Sequence, residues 1–168
     1  MHFGIQDDTM HSLFLEHLID NSDNELTIII SKSITRNPTI EENRIAANGN
    51  ETLIGVLNSS MVLEPNPNEV YKIYFESYIM YQGRNESYAY NDDDDIATGI
   101  GLILFEKSKL LDYAKEIINE DLALAVYKRT KLKHYGIYTL NNIVDIITFC
   151  EPTIEKTTLC ISRNTISS

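Results

Sequence analysis

The chain of 168 residues carries 25 acidic against 14 basic side chains, a formal charge of -11, with 43% hydrophobic and 23% charged residues. That balance is one of a single globular domain able to enclose its own core, and it excludes a disordered or fibrous chain and a binder of phosphate backbones, which needs clustered Lys and Arg. No apolar run approaches the roughly 20 residues that span a bilayer, and the acidic opening Met1-His2-Phe3-Gly4-Ile5-Gln6-Asp7-Asp8 lacks the basic and apolar regions of a signal peptide, so a cytoplasmic protein is expected.

In chain order, Asp7, Asp8 or Thr9 can cap a helix in which Met10, Leu13, Phe14 and Leu18 recur at helical spacing, which predicts a helix from Thr9 to Asp20. Asn21-Ser22-Asp23-Asn24 is a turn signal, and the short β-branched run Leu26 to Ile30 predicts a partly buried strand. Thr35 to Asn50 is polar, with Asn37-Pro38 and Asn48-Gly49-Asn50 as turn signals, and predicts a surface loop. Thr52 to Leu57, continued by Met61 to Leu63, is expected as a second strand. Glu64-Pro65-Asn66-Pro67-Asn68 is a breaker, because two prolines remove backbone donors.

From Val70 to Tyr81 strict alternation sets Tyr71, Ile73, Phe75, Ser77, Ile79 and Tyr81 on one face of a long strand. Gly83 is a candidate kink, and the run Asp92 to Asp95 a solvated connection to a strand over Gly99 to Phe105. Ser108 can cap a helix whose buried stripe is Leu110, Leu111, Ala114, Ile117 and Ile118, extending past Asp121 towards Tyr127, with Lys128, Arg129, Lys131 and Lys133 near its negative end. Leu132 to Leu140, Ile143 to Phe149 and Ile154 to Ile161 close the chain as strands, with Asn141-Asn142 as a tight turn and Ser162 to Ser168 frayed. The fold class expected is α+β, a single domain over residues 1–168. It is mainly an antiparallel sheet of about five to seven strands with two principal helices packed on it.

The chemistry-bearing residues fail the spacings that catalysis or metal binding needs. Cys150 and Cys160 stand ten apart, which fits neither a redox pair nor a zinc knuckle. His2, His11, His17 and His134 include no pair at the i, i+4 spacing of a zinc helix, and Asn91-Asp92-Asp93-Asp94-Asp95 lacks the alternation, glycine and distal Glu of a calcium loop. Gly99-Ile100-Gly101 is not a phosphate loop. No catalytic residue, metal site or cofactor is assigned, and no enzyme is expected, since no nucleophile, base and orienting group align. The ten tyrosines serve packing and interfaces alike, and Glu76 shares a face with Tyr74 and Tyr78, where a buried carboxylate would need a partner. The -11 charge would steer a basic protein towards the chain. The candidate partner-binding residues are Glu86, Tyr88, Tyr90, Asp92, Asp93, Asp94 and Asp95, with solvation of a loop as the plainer use of the aspartates. The sequence sets no oligomeric state.

A spaced series of landmarks covers about half of the chain: Phe75-Glu76-Ser77-Tyr78, Asn85-Glu86-Ser87-Tyr88, Lys107-Ser108 with Leu111-Asp112-Tyr113, His134-Tyr135, Leu140-Asn141-Asn142-Ile143-Val144-Asp145 and Glu151-Pro152-Thr153-Ile154. In these the chain resembles a group of small, largely uncharacterised bacterial proteins common among Firmicutes. A histidine often stands there in place of Asn142. Such proteins look like the immunity proteins of polymorphic toxin systems. The resemblance implies a non-enzymatic inhibitor that occludes the active surface of a cognate secreted toxin; the acidity of the chain would suit a basic toxin such as a nuclease, and charge and hydropathy predict no direct contact of the chain itself with nucleic acid or membrane. A small-ligand-binding or sensing domain, its pocket between sheet and helices, is the alternative expectation.

Overall fold

Nine strands among the described residues build two antiparallel sheets whose inner faces share one core. The structure is a computed structural model that describes residues 12–90, 92–119, 121, 122, 125, 128 and 131–158. The first part of the helix expected over Thr9–Asp20, Tyr127, Cys160 and the tail expected to fray at Ser162 to Ser168 lie outside them. The first sheet has the order β1 (Leu13–Asp20), β2 (Leu26–Arg36), β3 (Val62–Phe75) and β9 (Thr153–Thr157). The second has the order β4 (Met80–Arg84), β8 (Ile143–Thr148), β7 (Lys133–Tyr138), β6 (Leu102–Lys107) and β5 (Ile96–Ile100). The α+β class holds, with two sheets in place of the single one expected.

Leu13, Leu26, Ile28, Ile30, Ile73 and Phe75 from the first sheet meet Leu102, Tyr135, Ile137, Val144 and Ile146 from the second. The strand period of two explains the choice, since these side chains alternate with residues on the outer faces. The Phe75 and Tyr135 rings cross between the sheets at 5.6 Å. At one margin Tyr78 and Tyr81 donate to the Asp20 carboxylate at 2.8 and 3.2 Å, tying the end of β1 to the start of the second sheet. That hydrogen bond from its own hydroxyl, with burial adding to it, pushes the Tyr78 phenol up to about 12.

The segment expected as a helix up to Asp20 is instead β1. A bulge between Leu15 and His17 throws the alternation out of phase, and the apolar residues then fall at a spacing that imitates a helix. The loop expected over Thr35 to Asn50 holds the end of β2 and helix α1 (Ile40–Ala47). Thr39 and Glu42 form a reciprocal capping box, and Asn48 stops the helix in the left-handed conformation at φ 46°. Thr52 to Leu57, expected as a strand, lies in helix α2 (Glu51–Leu57), capped by Asn50.

The two short helices pack on each other at the tip of a ribbon formed by the outer ends of β2 and β3. Arg36 joins ribbon to helix by pairing with both Glu42 and Glu64. The proline segment breaks nothing: it lies within β3 as a bulge opposite Ser31–Ser33, where β9 no longer covers the far side and no ladder donor is missed.

The long strand expected from Val70 to Tyr81 is divided. β3 ends at Phe75 and β4 begins at Met80, and the four residues between carry the chain from one sheet to the other. The strand expected over Gly99 to Phe105 is a hairpin, β5 and β6, turning at Gly101 with φ 72°. Ser108 caps helix α3 (Lys109–Ile117) as expected; the helix stops at Ile117, and Asp121, Leu122 and Ala125, over which it was expected to continue, are helical after a break at Ile118 and Asn119. The three closing strands are present as β7, β8 and β9. No helix among the described residues is long and apolar enough to cross a membrane.

Candidate functional site

Two places gather chemistry-bearing side chains, one buried and one exposed. The buried one occupies the outer face of the second sheet, beneath α3. Strand alternation turns Tyr135 and Val144 inward to the core, so their neighbours His134 and Asp145 point the other way. Ser108, the α3 cap, lies over them. Its hydroxyl is 2.8 Å from His134 Nδ1, and His134 Nε2 is 3.2 Å from Asp145 Oδ1. All three residues are buried. The Phe105 ring stacks on the imidazole at 4.2 Å. Gly136, between the strands, makes room: a Cβ there would stand 2.8 Å from a Tyr138 ring carbon and 2.9 Å from a Phe105 one.

Asp145 is the hub. Besides His134 it accepts from Gln82 Nε2 at 3.1 Å and Arg84 Nε at 2.9 Å, both brought alongside by the β4–β8 pairing. Burial alone would raise its carboxyl, but the hydrogen bonds from His134 and Gln82 and the Arg84 charge outweigh it and hold the group below the usual carboxylate range. For Arg84, burial opposes the charge, and Asp145 together with Tyr138 still raises it.

A serine, a histidine and an aspartate in sequence resemble a hydrolytic triad, and the spacing in the chain gave no hint that they meet. Their hydrogen-bond accounting points to a latch. With Asp145 ionised, the neutral imidazole carries its proton on Nε2 towards Asp145, which leaves Nδ1 to accept from the Ser108 hydroxyl, while Ser108 Oγ accepts the Leu111 amide proton at 3.0 Å. Every group is then satisfied, and no buried side-chain N or O among the described residues lacks a partner. A nucleophile needs an approach for substrate. Here the hydroxyl is enclosed beneath α3, whose Leu111 and Ala114 pack with Leu132, Ile147 and Phe149. The arrangement anchors the start of α3 to the sheet. Ser108→Ala is expected to lower stability by about 1–2 kcal/mol, seen as a lower urea midpoint with an unchanged slope; an unaltered midpoint would show that the latch holds nothing.

The exposed place is the connection from β4 to β5, which contains every residue assigned to partner binding from the sequence. Asn85 caps a 3-10 turn over Glu86–Tyr88, its Oδ1 accepting from the Ser87 amide at 3.0 Å. Tyr88 is 87% and Tyr90 76% exposed, far beyond what packing explains, and Glu86 is exposed beside them. The four aspartates do not act alike. Asp92 is turned inward, paired with Lys109 at the start of α3 and accepting from the Asp94 amide, and the Lys109 hydrogen bond lowers its carboxyl below the ordinary value. Asp93 and Asp94 face solvent, and Asp95 is half-buried.

Of the other residues weighed from the sequence, His17 is exposed on β1, Glu76 is exposed after β3, and Cys150 is buried. His2 and His11 lie outside the described residues. Comparison with family models, curated proteins and solved structures returns no match.

Proposed function

We propose that the protein is an immunity protein that acts in the cytoplasm, binding a basic toxin domain and covering its active surface with the Glu86–Asp95 connection. The observation that carries this reading is the pair of exposed tyrosines, Tyr88 and Tyr90, next to the solvent-facing carboxylates of Asp93 and Asp94. Tyrosines combine large apolar area with a polar tip and few rotatable bonds, which suits them to anchor interfaces. The connection is held at both ends, by the Asn85 cap and by the Asp92–Lys109 pair, so little ordering entropy is lost on docking. The charge of -11 adds long-range attraction for a basic partner. The resemblance to immunity-type proteins points the same way.

The test is the purified toxin domain encoded by the reading frame adjacent to this gene. The expected result is a stable complex that abolishes toxin activity. Asp93→Asn with Asp94→Asn should slow association by about tenfold at low salt and by much less at high salt. Tyr88→Ala with Tyr90→Ala should instead speed dissociation. Binding unchanged by both pairs of substitutions would remove this surface from the interface, and absence of any complex would remove the immunity reading.

A further inference from the structure

We propose that the open edge of β5 takes up an extended segment of the partner as an added strand, one that carries Lys or Arg between small apolar residues. This rests on the reading above and names how that partner docks. Among the described residues β5 is the outermost strand of the second sheet, and all five of its residues, Ile96-Ala97-Thr98-Gly99-Ile100, are exposed. Exposed strand edges present unpaired amides and carbonyls, and proteins normally blunt them with charges, bulges or covering groups.

The other three edges carry charged side chains within the strand. β1 carries a bulge with Glu16 and His17 beside it, and Asn141 closes it by accepting from the Leu15 amide at 2.9 Å and donating to the Leu15 carbonyl at 3.0 Å. β9 carries Glu155 and Lys156, and β4 carries Arg84. Only β5, among these edges, has no charged residue within the strand, and it leaves Ile96 and Ile100 half-exposed.

Charge complementarity selects the occupant. Asp93, Asp94 and Asp95 lead directly into Ile96, so cations on an incoming strand meet carboxylates at the start of β5. The Asp94 and Asp95 charges already act on Lys109, which they help to raise, and the same field would act on a partner's lysine. A bulge after Ile96 and Gly99 at φ 116° shorten the regular stretch, so backbone pairing supplies register and the carboxylates supply attraction.

The experiment uses the full chain and four ten-residue peptides: alternating Lys and Val, alternating Glu and Val, and two forms of the first N-methylated on odd or on even residues. An added strand bonds through one of its own edges, so methylating that edge removes binding and methylating the other does not. The expected result is that the Lys-Val peptide shifts the amide resonances of residues 92–100 and is displaced by salt. One methylated form then loses about tenfold or more in affinity while the other binds as the parent does. The Glu-Val peptide should not bind. Equal binding by both methylated forms would overturn strand addition while leaving the acidic surface as a docking site. Failure of the Lys-Val peptide to shift residues 96–100 would also overturn it, and the immunity reading would still be judged separately by the toxin complex.

Discussion

Asp145→Ala is expected to destabilise the protein by about 3 kcal/mol, measured as the shift in urea unfolding. Removing one member of a buried ion pair costs roughly 3–5 kcal/mol because the remaining charge is left uncompensated. The lower end applies, since the Arg84 side chain is 34% exposed and can turn partly to water. His134, which is buried, has no such escape and would lose its hydrogen bond, and part-buried Gln82 would lose another. Asp145→Asn adds a test by pH. The folded-state carboxyl lies below its unfolded value, so its contribution is fully present above about pH 4 and is lost as pH falls through the lower folded value. Wild type should therefore lose stability more steeply below pH 4 than Asp145→Asn. Parallel acid limbs would show that the hub carries no linked charge.

Phe75→Ala should cost as much or more, about 3–5 kcal/mol. Phe75 is fully buried, and its ring spans from the last residue of β3 to Tyr135 on the opposite sheet. Truncation leaves a cavity that neither sheet can close without moving its partner. Phe75→Leu, which fills much of the same space, should cost clearly less. A Phe75→Ala loss below about 1 kcal/mol would mean that the sheets are not held by a common core.

The elements legible in the sequence are those whose side chains report their own surroundings. β7 and β8 were readable because alternating buried residues fill both faces, and α3 because its cap and stripe agree. The errors have physical causes. The large apolar residues Ile40, Ile45, Leu53 and Val56 of α1 and α2 are exposed, so these helices present no continuous buried stripe. The Thr39–Glu42 capping box is the one local signal in the sequence for α1. The change of sheet after Phe75 contains neither glycine nor proline, because packing against Tyr135 and Asp20, not local preference, decides it.

The site divides in the same way. Tyr88, Tyr90 and the aspartates lie within one short stretch and could be grouped by inspection. The buried latch joins residues from β4, β7, β8 and the start of α3, and only the folded register brings them within hydrogen-bond reach. Ser108, His134 and Asp145 each stand in one of the sequence landmarks, yet those separate motifs carry no sign that the three side chains touch.

The pairing of β3 with β9 fixes an order of events during synthesis. All five strands of the second sheet are made between these two, and the Glu69–Lys156 ion pair across them closes a separation of 87 residues. The hairpins of the second sheet can form as they emerge, whereas β3 keeps a bare flank until β9 arrives. The β3 flank over residues 70–74 that β9 later covers is thus open to mispairing for most of translation, and a ribosome stalled before Thr153 would hold a sheet that any other strand could complete.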